Sequence, residues 1–218
     1  MTTADVMRRA GRRKPGAGMW AAVLLGLLLS GCVDSAWLVR PGPQRVARAF
    51  LVTPDAPWNA VNPTLFAGRK RNALWTMNGV PLDFVAFIGG IPSGGTLFRL
   101  PTKQVKKREV PVFRSSMLLP EIAEFIEASY ARALEAQEFR TLALAPFSFG
   151  GHDGFRMEFR TVLRDEVPRR GIAAGAIVDG RLYLVLYQAA ELHYFAHNRE
   201  RVEALLRSLS LAPARRSS

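Results

Sequence analysis

Two of the three histidines lie four residues apart in the segment His-Tyr-Phe-Ala-His, from His193 to His197. Imidazole nitrogens bind zinc, and side chains four residues apart share a face when both lie on one helix. However, Asn198 is a typical helix-capping residue, and the apolar spacing of the last helix begins only at Val202. We therefore predict that His197 precedes this helix. Glu191 is the nearby carboxylate that could complete a site, but we expect no bound metal.

Nucleophilic hydrolysis would require a Ser or Cys beside a positioned His and a carboxylate. The sequence contains no Gly-x-Ser-x-Gly motif, and His152-Asp153 adjoins Gly150-Gly151, where Asp is a usual turn residue. We therefore predict a hairpin turn at this point. No catalytic residue and no cofactor is expected, and the protein is predicted not to be an enzyme.

The N-terminal segment, residues 1–31, has the pattern of an export signal. Basic residues precede the run GMWAAVLLGLLLSGC, whose apolar part is shorter than the roughly 20 residues of a membrane-spanning helix. The run ends at Leu29-Ser30-Gly31-Cys32, which resembles the lipobox of bacterial lipoproteins, and Cys32 is the one cysteine of the chain. A single thiol in an exported protein cannot form an internal disulfide.

The lipobox resemblance implies that Cys32 becomes the N-terminus of the mature protein and carries acyl chains such as palmitate. Two or three chains anchor a protein stably, whereas one does so only marginally. The next residue is Val33 rather than the Asp that favours retention in the inner membrane. The resemblance therefore implies a lipid anchor in the periplasmic leaflet of the outer membrane.

The formal net charge of +12 remains positive when the basic leader is set aside, which favours anionic partners. Export disfavours nucleic acid. The densest basic stretch is KQVKKR, and Arg69 to Arg71 could lie near it in space. We predict contact with an anionic surface through the four basic residues of KQVKKR, although a solvated loop is the simpler alternative: Lys103, Lys106, Lys107 and Arg108.

Residues 32–63 are rich in Pro and small residues and are predicted to form a tether that follows the lipidated Cys32. Within it, QRVARAFLV could be a helix or an edge strand. Residues 64–218 are predicted to form a single globular domain, because their length suits one hydrophobic core.

The domain begins with a predicted hairpin, Leu74 to Met77 and Leu82 to Ile88, around Asn78-Gly79. The following GGIPSGG is interpreted as a loop, since it lacks the Lys-Ser/Thr ending of a phosphate-binding loop. A helix is predicted from Pro120, because apolar residues recur at Ile122, Ile126 and Tyr130.

Period-two alternation after this helix predicts four antiparallel strands at about 141–149, 154–163, 172–178 and 182–187, and a final helix follows. The strand from Leu182 to Tyr187 is apolar on both faces and should be central and covered on both sides. The fold class is therefore α+β, an antiparallel β-sheet flanked by helices.

From Pro120 to Leu211, the succession of GFRMEF, an Asp-Gly hairpin, RLYLVLYQA, HYF and a helix ending in LLRSLSL resembles the PsbP-like α/β/α sandwich domains. The founding members of that family bind other proteins as extrinsic photosystem subunits. The resemblance implies a fold and carries no catalytic motif.

We therefore expect a non-enzymatic envelope lipoprotein that binds or supports another envelope component. One alternative is a small periplasmic hydrolase or metal-dependent enzyme that uses the histidines. Another is a carrier of an apolar ligand, which a well-formed cavity between sheet and helices would favour.

Overall fold

The computed structural model describes residues 36–99 and 110–212, and all of them belong to the compact unit Ser35–Ser218. The two α-helices of this part are α1 (Leu119–Ala133) and α2 (Tyr194–Arg207), and Arg69–Arg71 forms a 3-10 turn. Neither α-helix of the described residues has the length and apolar character needed to cross a membrane. The strands of this part are β1 (Trp37–Val39), β2 (Gln44–Val46), β3 (Phe50–Val52), β4 (Trp58–Val61), β5 (Asn72–Thr76), β6 (Asp83–Pro92), β7 (Glu138–Phe149), β8 (His152–Val162), β9 (Pro168–Val178), β10 (Arg181–Ala190) and β11 (Ser210–Leu211).

The strands form an eight-stranded antiparallel sheet in the order β1-β4-β5-β6-β10-β9-β8-β7. A smaller sheet has the order β11-β3-β2. The predicted hairpins and the four-strand meander are thus confirmed, with strands longer than the apolar alternation alone indicated. The pairing of β6 with β10 joins the hairpin of the first half to the meander of the second.

The large sheet separates two hydrophobic cores. One contains α1, through Ile122 and Ile126, and the other contains α2, through Val202 and Leu205. Strand β10 contributes to both, since alternate side chains of a strand point to opposite faces. Leu182, Leu184 and Leu186 enter the core of α1, while Val185 and Tyr187 enter the core of α2. The prediction that this strand is central and covered on both faces is confirmed.

Helix α1 begins where the sequence predicts it. Pro120 occupies its first turn, and Glu121 accepts a hydrogen bond from the backbone N–H of Leu118 at 2.7 Å. Its buried stripe includes Ile122, Ile126 and Tyr130. The Tyr130 hydroxyl donates to Gln188 Oε1 at 2.8 Å, which connects α1 to β10, and burial raises the pKa of this tyrosine.

Residues 36–63 belong to the fold, so the prediction that 32–63 is a tether is wrong over this range. Phe50, Val52 and Trp58 are buried in the core of α2. The segment QRVARAFLV forms the β2–β3 hairpin, with positive φ angles at Ala47 and Arg48. The prolines of residues 36–63 lie outside the four short strands, so they interrupt no backbone hydrogen bonds of the sheets.

The start of α2 also differs from the prediction. The helix begins at Tyr194, so His197 lies inside it, and Asn198 is buried within the helix rather than capping it. The GGIPSGG segment is a loop only in its second half, because Gly89 to Pro92 continue strand β6.

Candidate ligand-binding cleft

A cleft of about 390 Å³ opens where the second half of β6 meets the starts of β5 and β10. This volume lies within the range of roughly 300–1,000 Å³ that is usual for small-molecule sites. Its apolar wall includes Ile88 and Ile91, and the segments that contain Ala67-Gly68 and Gly95-Thr96 complete it. The cleft therefore combines a buried aliphatic surface with an opening to solvent.

A β-bulge shapes this cleft. The register between β6 and β10 shifts at Leu182/Tyr183, which leaves Gly90 as the extra residue, with a φ of +91°. A Cβ on Gly89 would lie 2.5 Å from the carbonyl oxygen of Arg71, and one on Gly90 would lie 3.2 Å from the Tyr183 ring. Both positions therefore require glycine, and the bulge is a built part of the cleft.

Two arginines, Arg71 and Arg181, lie beside the apolar wall. Within residues 36–99 and 110–212, neither guanidinium forms an ion pair or donates a side-chain hydrogen bond. By contrast, Arg160 bridges Glu138 and Glu191 at 2.8 and 2.9 Å, and Arg169 is paired with Asp165 at 2.5 Å. The donors of the two cleft arginines are thus free to bind a carboxylate or phosphate.

The residues that line the cleft include no His, Asp, Glu, Ser or Cys. Its hydroxyl, on Thr96, donates to the carbonyl oxygen of Phe98 at 3.0 Å. Among its described lining residues the cleft therefore offers neither a carboxylate or imidazole as general base nor an activated nucleophile.

A second depression, of about 410 Å³, lies beside α1 and the segment that begins at Val110. Its lining carries charges of both signs, and two of them, Arg114 and Glu121, form an ion pair at 3.5 Å. This mixture gives it no preference for an anion or a cation. The β5/β6/β10 cleft is therefore the stronger candidate.

The predicted site residues fall in different places. Cys32 and the four basic residues Lys103, Lys106, Lys107 and Arg108 lie outside the described residues, so their roles remain predictions. Arg69, Lys70 and Arg71 form the 3-10 turn, and Arg71 lines the cleft. Sequence reasoning missed Arg181 and the bulge, although Gly-Gly within an apolar strand is a recognised bulge signal.

The histidine pair lies at the start of α2, on the surface. The rings of His193 and His197 stack at 5.5 Å, and both residues are exposed. Glu191, the carboxylate proposed as a third ligand, accepts instead from Arg160 at 2.9 Å. Among the described residues, no group of three His, Cys, Asp or Glu side chains is placed to hold a metal ion.

A charge cluster connects α2 to the sheet away from the cleft. Glu158 on β8 accepts hydrogen bonds from Arg199, Arg156 and Arg170 at 2.6, 2.9 and 3.1 Å. Burial alone would raise the pKa of Glu158, but the hydrogen bond from Arg156 and the charges of the three arginines lower it. Arg156 also donates to Glu203 of α2 at 2.5 Å, so the cluster sets three guanidinium groups against two carboxylates and connects β8 and β9 to α2.

No protein-family model matches the sequence, and no curated protein matches it. Among solved structures, the cyanobacterial PsbP protein CyanoP of Synechocystis sp. PCC 6803 is 11% identical, with a TM-score of 0.49 over 85% of this chain and 99% of its own. LpqN of Mycobacterium tuberculosis, described as involved in cell envelope biogenesis, is 8% identical, with a TM-score of 0.33 over 84% of this chain and 88% of its own. Likenesses at these TM-scores establish neither the family nor the function of the chain.

Proposed function

We propose that the protein is a non-enzymatic binding lipoprotein of the cell envelope whose cleft takes a single-chain acidic amphiphile, such as a fatty acid. The observation that carries this proposal is the pairing of an aliphatic wall, Ile88 and Ile91, with the unpaired guanidinium groups of Arg71 and Arg181. The acidic group would bind the arginines, and the chain would lie along the apolar side of the cleft, which Ala67 and Pro92 also line.

Charge and shape both support an anionic ligand of this kind. The two guanidinium groups supply bidentate donors but no acceptor, so they favour a carboxylate or phosphate over an amine. The walls between them are mainly apolar, and burial of a hydrocarbon chain contributes about 0.8 kcal/mol per methylene. A free inorganic ion would leave this apolar wall unused.

Location in the envelope rests on the N-terminal pattern. The lipobox ending in Cys32 supports a lipid anchor, and Val33 supports the outer membrane. An anchored binding protein would hold its ligand beside the bilayer, where acidic amphiphiles are plentiful. The alternative, an enzyme that uses the histidines, has less support, because both histidines are exposed and their nearest carboxylate candidate is paired with an arginine.

A ligand-displacement experiment tests the proposal. A chain beginning at Val33 contains every described residue, and a fluorescent fatty acid is the probe. We expect saturable binding that weakens with salt, and at least a tenfold loss, about 1.4 kcal/mol, in the double variant Arg71→Gln, Arg181→Gln. The fatty alcohol of equal length should displace the probe poorly.

The matched control is the double variant Arg45→Gln, Arg207→Gln, which removes two exposed charges away from the cleft. It should bind the probe as the unaltered chain does. Equal binding of acid and alcohol, or equal losses in the two double variants, would contradict the proposed site.

A further inference from the structure

Strand β1 is an outer strand of the large sheet, and its first two residues expose large apolar side chains. Trp37 is 58% exposed and Leu38 is 62% exposed, whereas Trp58 and Trp75 are 1% and 4% exposed. One edge of β1 pairs with β4, through Trp37 with Ala60 and the two following residues. The opposite edge has no partner strand among the described residues.

This apolar edge lies very close to Cys32 along the chain. Only five residue steps separate Cys32 from Trp37, a span of at most about 18 Å when fully extended. The headgroup layer of one leaflet is roughly 5–8 Å thick, which is less than half of this maximum span. Since residues 36–63 belong to the fold, no long tether is left to hold the domain away from the bilayer.

We propose that Trp37 and Leu38 form a membrane-contact edge that inserts into the headgroup region of the leaflet holding the Cys32 lipid. This inference depends on lipidation of Cys32, which is also part of the proposed function, and does not depend on the cleft. Tryptophan prefers the membrane interface, where its ring is buried and its N–H finds a polar partner. The exposed Arg40 follows β1 directly and suits acidic headgroups.

A second copy of the chain could in principle pair with the same edge. Strand β1 is only three residues long, so this pairing would supply few backbone hydrogen bonds. The short link to the anchor, in contrast, keeps the edge at the membrane whatever the protein concentration. The membrane is therefore the favoured occupant, and pairing of copies is an outcome that the experiment must detect.

The tryptophans allow a direct test in the mature lipidated protein, reconstituted in vesicles of phosphatidylethanolamine and phosphatidylglycerol. Part of the phospholipid carries bromine on its acyl chains close to the headgroup and quenches tryptophan on contact. Trp58 and Trp75 are buried and should stay unquenched. We expect partial quenching that disappears in Trp37→Phe, and an intact mass that confirms the lipid on Cys32.

Leu38→Asp should reduce the quenching several-fold, since a carboxylate opposes insertion of the edge. Leu51→Asp, at an exposed position of β3, is the matched control and should leave it unchanged. The double variant Arg71→Gln, Arg181→Gln should also keep full quenching, which separates this inference from the cleft.

Absence of quenching in the lipidated wild type would overturn the inference, as would equal effects of Leu38→Asp and Leu51→Asp. Cross-linked dimers that form without quenching would assign the edge to a second copy and would overturn it as well. An unmodified Cys32 in the reconstituted protein would also overturn the inference, because the membrane contact depends on the lipid anchor.

Discussion

The side-chain amide of Asn198 in α2 lies 3.4 Å from Oδ2 of Asp83, the first residue of β6. The same carboxylate accepts hydrogen bonds from the backbone N–H groups of Met77 and Asn78 at 3.1 and 2.7 Å. Asp83 therefore holds both the β5–β6 turn and the first half of α2. The residue that the sequence suggests as a helix cap is instead part of a buried polar contact between helix and sheet.

Removal of this contact should destabilise the domain. We expect Asn198→Ala to lower the free energy of unfolding by about 1–3 kcal/mol, because the buried carboxylate of Asp83 loses one of its donors. Asn198→Asp should cost more at neutral pH, where two carboxylates would face each other, and the difference between the variants should shrink in acid. Urea unfolding at several pH values measures both effects, and a pH-independent difference would contradict the assigned contact.

Phe195 should be essential to stability, whereas the histidines that flank it should not. The ring is 3% exposed, stacks on Tyr187 at 5.6 Å and is covered by the Arg170 guanidinium at 4.7 Å. Phe195→Ala should cost roughly 3–5 kcal/mol through lost burial and a cavity. Thermal or urea unfolding of the chain from Val33 measures this loss.

The control for Phe195 is the double variant His193→Ala, His197→Ala, which should change stability by less than about 1 kcal/mol because both rings are exposed. The purified protein should contain no stoichiometric zinc, and a chelator should leave its melting temperature unchanged. Stoichiometric zinc that is lost in this double variant would instead establish a metal site and favour the enzyme alternative.

Glu158 should make stability depend on acid pH. Its side chain is 12% exposed and its pKa is lowered by the surrounding arginines, so it binds a proton less readily when folded than when unfolded. The contribution of Glu158 to the free energy of unfolding is therefore complete above the pKa of an unfolded glutamate, about 4.3. It is lost as the pH falls through the lower pKa of the folded state.

Glu158→Gln should accordingly lower the free energy of unfolding by about 1–3 kcal/mol at neutral pH. The deficit should narrow as the pH falls through the lowered pKa of Glu158 in the folded state, because the wild type then also becomes protonated. Glu127→Gln, at an exposed position of α1, should show neither effect. A deficit that persists unchanged in acid would show that the carboxylate charge is not the cause.

Cys32 should be the N-terminus of the mature protein and carry diacylglycerol. Mass spectrometry of protein from membranes should find the acylated cysteine, and Cys32→Ala should block this processing because the thioether cannot form. A mature chain that begins elsewhere, or an unmodified Cys32, would refute the lipobox assignment.

The four basic residues Lys103, Lys106, Lys107 and Arg108 should contribute to binding of acidic vesicles by the chain from Val33. Their replacement by Gln should abolish the binding, which should also weaken steeply as salt shortens electrostatic range to about 8 Å at physiological ionic strength. The control replaces four exposed arginines elsewhere with Gln: Arg45, Arg132, Arg140 and Arg207. Similar losses in the two variants would point to total charge rather than to this stretch.

Much of the secondary structure followed from periodicity alone. The alternation of Phe155, Met157 and Phe159 with charged neighbours predicted β8, and apolar steps of four residues predicted α1. Strands β1 and β4 escaped prediction, and the segment of β2 and β3 was left open between a helix and an edge strand, because strands of three or four residues are too short for a periodic signal. Prolines between them gave a composition that suggested a tether.

The sequence by itself determined the α+β class, the central position of β10 and the lipobox that predicts an anchor. Each of these depends on the pattern of residue types within a short segment of the chain. Only the tertiary structure decided the cleft and the role of Asn198. Arg71 and Arg181 are 110 positions apart and line the same cleft because β10 pairs with β6 beside the Gly90 bulge. Asn198 is buried because α2 packs beside Asp83, and a helix-capping preference is too weak to compete with that contact.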